Sequence, residues 1–320
     1  MKTSKKSFLS YLPRNGAFYA IIIFVVFFSF TAPNYFTLGN LINVLRQSTV
    51  FCIITATAFM ALLTHQIDLS VGASAALTSV LTALILQRGG NVVVAILVAI
   101  LAGVAVGMLN GILISRTTLA PFIVTFATQS ICESLGLIIT KGQTVTVSHP
   151  VILGISKVEV FGVIPVCVLI MVGIYLILWY VMTKRSFGTS LYAIGGNQEA
   201  SIATGIPVMR NKFIVYVVNG ALAAVAGLVL IARIGTANAS QGSGLEFEGI
   251  CGAVLGGTAL GGGRGKIWGA FLGAFAIAIL KNGLNMLGLK TGYQMILIGV
   301  IIILIISLDS LTNRTKGGQD

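Results

Sequence analysis

Uninterrupted apolar runs of membrane-spanning length dominate this 320-residue sequence. We place candidate spans at 16–32, 41–64, 70–86, 92–114, 120–139, 162–182, 213–232, 248–260, 267–287 and 292–308. A bilayer core about 30 Å thick needs about 20 apolar residues in one helix. Because polar and apolar residues do not alternate within the runs, they indicate helices and exclude a transmembrane β-barrel. The sequence therefore predicts an all-α integral membrane protein, one polytopic domain over residues 1–320 with about ten transmembrane helices.

Composition excludes a water-soluble fold. Hydrophobic residues make up 56% and charged residues 9% of the chain, whereas soluble domains carry about 25% charged residues. The net charge of +12 is spread over short connections and forms no basic face, so no nucleic-acid partner is expected. Membrane lipid is the expected surrounding of this chain. The cysteines stand in apolar surroundings without metal-ligand spacing and are expected to be core residues; they are Cys52, Cys132, Cys167 and Cys251.

The distribution of basic residues predicts the orientation. With a cytoplasmic N-terminus, 13 of the 20 Lys and Arg residues lie on the cytoplasmic side, as the positive-inside rule requires. Both termini, residues 1–15 and 309–320, and the polar connection 183–212 are then predicted to be cytoplasmic. The first apolar run follows three lysines like a signal peptide, but it is long and has no small-residue cleavage site before Pro33, so we expect an uncleaved span.

Glycines recur every four positions in two regions. They are Gly103, Gly107 and Gly111 in one and Gly265, Gly269 and Gly273 in the other. A bare helix face lets another helix approach closely, and packing alone is the simplest interpretation. An Asn-Gly pair accompanies each stripe, at Asn110 and at Asn282, five spans apart. The two pairs suggest an inverted repeat.

A polar break interrupts the apolar pattern at residues 64–72 and contains Gln66, Asp68 and Ser70. One interpretation is an ordinary turn in which Asp68 or Ser70 caps the next helix. The other is that Asp68 faces a cavity or a partner, because an ionisable group at membrane depth is costly otherwise. The two are compatible. His65 has no second ligand at a suitable spacing, so no metal site is predicted.

A glycine-rich interruption covers residues 247–266 and includes Gly256, Gly257 and Thr258. It predicts a short, discontinuous helix with irregular backbone, which membranes tolerate where the backbone is buried in protein or lines a water-filled cavity. The Walker phosphate-binding pattern is not met, because Leu260 and Ile267 stand where it needs a glycine and a hydroxyl residue. No cofactor is therefore predicted on this chain.

The connection 183–212 predicts a short helix. Asn197 suits the N-cap, Glu199 the first turn, and Gly205 followed by Pro207 the end. So short a helix is marginal in water. We therefore expect a partner or the bundle to hold it.

Several motifs together resemble one family. They are residues 33–37 (PNYFT), 67–72 (IDLSVG), 192–197 (YAIGGN), 254–258 (VLGGT) and 282–284 (NGL). The chain resembles the permeases of ribose-type ATP-binding-cassette (ABC) sugar importers, which include ribose, xylose, arabinose, galactoside and autoinducer-2 permeases. The resemblance covers nearly the whole chain. Residues 201–204 depart from the common pattern and leave this surface less basic.

The resemblance implies a permease in a bacterial cell (inner) membrane, and no enzyme. It implies three partners: a second permease chain, identical or different, a cytoplasmic ATPase that binds the ATP, and an extracytoplasmic sugar-binding protein. It makes the segment 195–205 the ATPase-coupling helix, with contacts at Gly195, Gly196, Asn197, Glu199, Ala200 and Gly205. Polar or glycine residues at the helix breaks are expected to line the translocation pathway: Gln66, Asp68, Ser70, Gly256, Gly257, Thr258 and Asn282.

We therefore predict a permease that moves a monosaccharide, such as a ribose-like pentose, a hexose or a related polyol, into the cell. An ion-coupled secondary transporter of a small polar solute is the alternative. It would need intramembrane ionisable groups, for which Asp68, Glu133 and Glu248 are the candidates. A membrane scaffold or sensor is a second rival, and no soluble domain in this sequence supports it.

Overall fold

The computed structural model describes residues 16–290, 292–297, 299–301 and 303. Its helices are α1 (Gly16–Thr31), α2 (Leu38–Leu63), α3 (Ser70–Gln87), α4 (Val92–Arg116), α5 (Pro121–Thr140), α6 (Pro150–Lys157), α7 (Val166–Lys184), α8 (Ser186–Gly196), α9 (Gln198–Ala203), α10 (Val208–Ile234), α11 (Leu245–Leu255) and α12 (Ile267–Met286). Four two-residue strands join them: β1 (Val145–Thr146), β2 (Glu159–Val160), β3 (Ile164–Pro165) and β4 (Thr236–Ala237). The predicted terminal segments 1–15 and 309–320 lie outside the described residues.

Seven helices are long and apolar enough to cross a membrane: α2, α3, α4, α5, α7, α10 and α12. Helices α2, α3, α10 and α12 are mostly buried inside the bundle, whereas α4, α5 and α7 expose most of their surface. The exposed side chains on the outer helices are large and apolar, such as Leu97, Leu101, Phe126 and Ile138. An apolar exterior around an apolar core is what lipid surroundings require. The prediction of an all-α, multi-pass membrane protein is confirmed.

Three of the ten predicted spans form shorter helices. Helix α1 has 16 residues, α11 has 11 residues, and the helix Gly292–Ile301 covers only the first part of the predicted last span. Residues 302 and 304–308 of that span lie outside the described part of the chain. Helix α11 ends at Leu255, and Gly256 is its C-cap residue. The predicted discontinuity is therefore confirmed at α11.

The bundle has two ends, which we name by their short helices. The α6 end carries α6 and the antiparallel pair of β1 and β4, in which Val145 lies opposite Ala237. A second small ladder joins β2 to β3, and Glu159 lies opposite Pro165. The α9 end carries α8 and α9. Each ladder has too few residues to show an alternating pattern in the sequence.

The first glycine stripe lies against α10. A Cβ atom at Gly103 would collide with the carbonyl of Gly220, and one at Gly107 would collide with the carbonyl of Tyr216. Only glycine allows these two backbones to approach so closely. In the second stripe, Gly273 packs in the same way on Gly252 of α11, whereas Gly265 precedes α12. The packing interpretation of the stripes is confirmed.

Candidate functional site

Two interruptions of the helical bundle meet near its middle. One is the segment 64–69, between α2 and α3, and the other is the segment 238–244, between β4 and α11. The second segment contacts α3 directly after the first segment ends, at Gly242 and Gly72, where a Cβ atom on either residue would collide with the carbonyl oxygen of the other. The N-termini of α3 and α11 therefore lie side by side. Helix N-termini carry partial positive charge and unpaired N–H groups.

Asp68 lies at the start of α3 and is 5% exposed. Its Oδ1 accepts hydrogen bonds from the backbone N–H of Ser70 at 3.1 Å and from the Ser70 hydroxyl at 2.7 Å. Its Oδ2 accepts one from Nδ2 of Asn219, on α10, at 3.1 Å. The N-cap position of α3 is Leu69, which makes no side-chain cap hydrogen bond, so neither Asp68 nor Ser70 is the predicted N-cap. Asp68 instead accepts the first backbone N–H of α3, and the same carboxylate also reaches a second helix.

The hydrogen bonds continue from Ser70 into two more helices. Asn110 Nδ2 of α4 donates to Ser70 Oγ at 2.8 Å, and Thr128 Oγ1 of α5 donates to Asn110 Oδ1 at 2.6 Å. We call these residues, with Asp68 and Asn219, the Asp68 network. Within the described chain Asp68 has no ion-pair partner. A buried carboxylate without a cation depends on such donors, so the network locks the relative positions of α3, α4, α5 and α10.

The other predicted pathway residues fall into two places. Gln66, whose side chain is buried, accepts a hydrogen bond from Thr64 at 3.4 Å just beyond the end of α2. Gly256, Gly257 and Thr258 are also at the α9 end. Asn282 lies elsewhere: it exchanges two hydrogen bonds with Asn40, near the start of α2, at 3.0 and 3.2 Å.

Around Gly256 the contacts are tight. A Cβ atom at Gly256 would collide with Gly269 of α12. Thr258 is buried next to Gly265, and Gly257 has a φ of 89°, a conformation that favours glycine. The seven predicted pathway residues therefore do not form one surface: some lie at the α9 end, Asp68 and Ser70 lie deeper, and Asn282 lies near the opposite end of α2.

The predicted short helix of the 183–212 connection is confirmed as α9. Asn197 Oδ1 accepts the backbone N–H of Ala200 at 2.9 Å, which is an N-cap contact. Glu199 lies in the first turn, where its charge suits the helix dipole. Gly205 ends the segment with a φ of 81°. Helix α8, which directly precedes α9, was not predicted.

Helix α9 is exposed, but its attachment is buried. Asn197, Glu199 and Ala200 are exposed, and the apolar side chain of Ile202 is 53% exposed. Gly195 is buried: a Cβ atom there would collide with the backbones of Leu63 and Gly263. The Gly263 N–H also donates to the Leu63 carbonyl at 3.0 Å. The exposed helix is thus attached to the end of α2 and to the connection between α11 and α12.

A cleft of about 470 Å³ lies beside this attachment, lined by residues of both parts. Lys212 of α10 donates to Gln198 at 2.7 Å within it. Tyr192 of α8 donates to the Gly265 carbonyl at 3.0 Å. These contacts connect α8 and α9 to the end of α2 and to the glycine-rich segment that follows α11.

Sequence reasoning missed Glu246, because the predicted span began at residue 248. Glu246 is 2% exposed and lies in the first turn of α11. Its Oε1 accepts hydrogen bonds from Gln129 of α5 and from the Gly244 N–H, both at 3.2 Å. The stretch 238–244, rich in Asn, Ser and Gly between two apolar runs, was the available signal for a helix break here.

Glu248 forms an ion pair inside the bundle. Its Oε1 lies 2.7 Å from Lys281 Nζ of α12, and that ammonium group also lies 4.9 Å from the ring centre of Phe51. No group of three or more His, Cys, Asp or Glu side chains that could hold a metal ion occurs among the described residues. The four cysteines are free and buried.

Comparison with known proteins adds independent information. A family model described as branched-chain amino acid transport system / permease component matches residues 40–306. The ribose import permease protein of Bacillus subtilis (strain 168) is 38% identical over 300 residues, covering 92% of each chain. That of Escherichia coli (strain K12) is 34% identical over 309 residues, covering 94% of this chain and 95% of the relative.

The D-allose transport system permease protein of Escherichia coli (strain K12) is 34% identical over 310 residues, covering 96% of this chain and 95% of the relative. No solved structure gives a significant match.

Proposed function

The chain belongs to the family of transport-system permease components whose model matches residues 40–306, and on this premise we propose that it is the membrane subunit of an ABC importer for a monosaccharide. The substrate class is a pentose or hexose or a related polyol. This substrate class is supported by relatives at 34 and 38% identity over nearly the full length, which are named for ribose or allose. The motifs that resemble ribose-type permeases point the same way.

The importer needs further subunits. An ATPase binds and hydrolyses ATP, a sugar-binding protein delivers the solute, and a second permease chain completes the membrane part. The α9 end faces the cytoplasm, because it carries the basic residues Lys184, Arg185, Arg210 and Lys212 next to the helix ends. Both termini then lie in the cytoplasm.

The attachment of α9 carries the mechanistic part of this proposal. An ATPase that docks on the exposed residues of α9 moves Gly195, whose backbone is in direct contact with Leu63 and Gly263. Interfaces packed this closely shift as units instead of deforming gradually. Docking therefore favours one arrangement of the segments next to α2 and α11, and ATP hydrolysis changes which arrangement is favoured.

Charge reversal at the helix start tests the docking site. We expect Glu199→Arg to leave membrane insertion intact while sugar-stimulated ATP hydrolysis and uptake fall together in vesicles that contain the ATPase and the binding protein. Glu199→Ala is the matched control, because it removes the favourable helix-dipole contact, worth about 0.3–1 kcal/mol, without adding a repulsive charge.

Cross-linking gives the second readout. Single cysteines at exposed positions of this segment, such as Glu199, Ala200 and Ile202, are expected to capture the ATPase subunit, whereas cysteines at Arg116 or Arg264 are not. The reverse pattern would place the docking site on another connection. Uptake that persists on a proton gradient, with no ATPase present, would support the ion-coupled alternative instead.

A further inference from the structure

The chain between β4 and α11 descends into the bundle. Ala239 packs on Gly136, near the end of α5 that lies at the α6 end of the bundle. Seven residues earlier on α5, Gln129 donates to Glu246. Seven helical residues rise about 10 Å, so the segment 238–246 reaches about the middle of α5. It does so without helical structure until residue 245.

Some polar side chains of this segment make no hydrogen bond to the described part of the chain. Ser240 and Ser243 are exposed, and within the described residues no hydrogen bond is made by either hydroxyl. Non-helical backbone at membrane depth is tolerated where it is buried in protein or lines water, but not where it meets lipid. The exposed side of the segment therefore faces water.

Glu133 adds a carboxylate to the same side. It lies between Gln129 and Gly136 on one face of α5, because residues four and seven positions apart share a helix face. Both of those neighbours contact the segment 238–246, which we call the descending segment. Glu133 is partly exposed, and among the described residues its carboxylate has neither a hydrogen bond nor an ion pair. An ionisable group within a transmembrane helix normally faces a partner or water.

Phe247 completes the surface. It lies in the first turn of α11, four residues after Ser243, and is 49% exposed. A sugar ring has apolar C–H faces, which pack on an aromatic ring, and an edge of hydroxyl groups, which bond to carboxylates and hydroxyls. We propose that Glu133, Ser240, Ser243 and Phe247 form the surface that binds the sugar as it crosses the membrane.

This proposal rests on the proposed function and changes where the pathway lies. The Asp68 network is buried inside one chain, and each of these donors bonds to an acceptor of another network member, so the network positions helices and does not contact solute. The descending segment contacts the start of α3 on its buried side, through Gly72 and Gly242. Movement of the α3 start would therefore move the sugar-binding surface as well.

Accessibility to a water-soluble reagent tests whether this surface faces water. We expect Ser243→Cys in membrane vesicles to react with the charged reagent 2-sulfonatoethyl methanethiosulfonate. Ile131→Cys is the matched control, because it lies on α5 at a similar depth but two residues from Glu133, so its side chain points away from that face; it is expected to stay unlabelled. The four native cysteines are buried and give a low background. An unreactive Ser243→Cys would overturn the proposal, for example because a second permease chain covers this surface.

Transport measurements test the binding role. In vesicles with the ATPase and the binding protein, D-ribose, D-allose and D-xylose serve as probes. We expect Glu133→Gln to lower uptake about tenfold, as the loss of one hydrogen bond to a charged group would. We expect Phe247→Leu to lower uptake as well, because leucine has no aromatic face on which the sugar ring packs. Phe126→Leu, at a residue on α5 that is 54% exposed, is expected to transport like the parent.

The two proposals fail in different ways. If the parent protein takes up one of these sugars with ATP while both variants match the parental rate, the permease function stands and the binding surface is wrong. If Ser243→Cys is labelled but the parent moves none of the three sugars with any of its partners, the water-facing surface stands and the sugar assignment is wrong.

Discussion

Gly72 of α3 and Gly242 of the segment before α11 lie backbone against backbone, and neither position has room for a Cβ atom. This contact holds together the two helix interruptions that the chain places 170 residues apart. It also lies beside Glu246, whose Oε2 would meet a Cβ atom at Gly72. The contact therefore sets the distance between the Asp68 network and the descending segment.

Adding a methyl group at this contact should destabilise the protein. We expect Gly242→Ala to cost about 1–3 kcal/mol, as overpacking of a tight interior does. Loss of monodispersity on heating in detergent measures the effect. Gly173→Ala is the control, because a Cβ atom there meets nothing within 4 Å and alanine is favoured over glycine inside a helix. Equal melting of the two variants would show that the backbones can separate at no cost.

The α4 stripe makes a similar prediction with a larger side chain. Gly107→Leu should damage assembly more than Leu109→Ala, because Gly107 faces the Tyr216 carbonyl of α10 whereas Leu109 is 45% exposed. Membrane yield and the fraction of folded protein in detergent are the measurements. Equal yields would mean that α4 can move away from α10 without loss of folding.

Neutralising Asp68 should affect transport more than folding. Asn at this position replaces one acceptor oxygen with a donor, which then faces either the donors of Ser70 or that of Asn219. We expect Asp68→Asn to insert normally and to lower ATP-driven uptake, because the network no longer holds α3 and α10 in one arrangement. Thr128→Ser keeps its donor to Asn110 and should behave like the parent. Transport at the parental rate by Asp68→Asn would show that the bonds from Asp68 to Ser70 and Asn219 only support local structure.

Breaking the Glu248–Lys281 pair should be costly because the partner left behind is buried. The two side chains are 8 and 19% exposed, and an unpaired buried charge costs about 3–5 kcal/mol. We expect Lys281→Met to destabilise the protein strongly, and the double variant Glu248→Gln with Lys281→Met to recover most of the loss. Thermal unfolding in detergent of the parent, the two single variants Glu248→Gln and Lys281→Met, and the double variant gives the coupling energy. Additive effects would show that the two residues act independently.

Local signals were enough for several features of the molecule. The apolar runs predicted the long helices because a backbone in lipid must satisfy its own hydrogen bonds. Asn197, Glu199 and Gly205 predicted α9 and its ends because capping depends on neighbouring residues only. The interruption at 256–258 could be predicted because glycine and turn residues act through their own backbone conformations.

Tertiary structure decided which distant groups meet. Nothing near Asp68 in the sequence indicates that Asn219 lies beside it, and nothing near Gly195 indicates Leu63 and Gly263. Such contacts depend on how whole helices cross. Asn282 shows the same limit of prediction from sequence. It is a polar residue of the kind expected along a pathway, but it bonds to Asn40, far from Gln66.

The sequence by itself determined the class of fold, the helix breaks and the capped surface helix, because membrane burial and backbone capping are properties of short stretches of chain. Only the tertiary structure decided that the breaks at α3 and α11 meet at Gly72 and Gly242, and that Gln129 of α5 bonds to Glu246 at the start of α11. The reason is that side-chain neighbours across a bundle follow from the close packing of helices, which no single stretch of the sequence encodes.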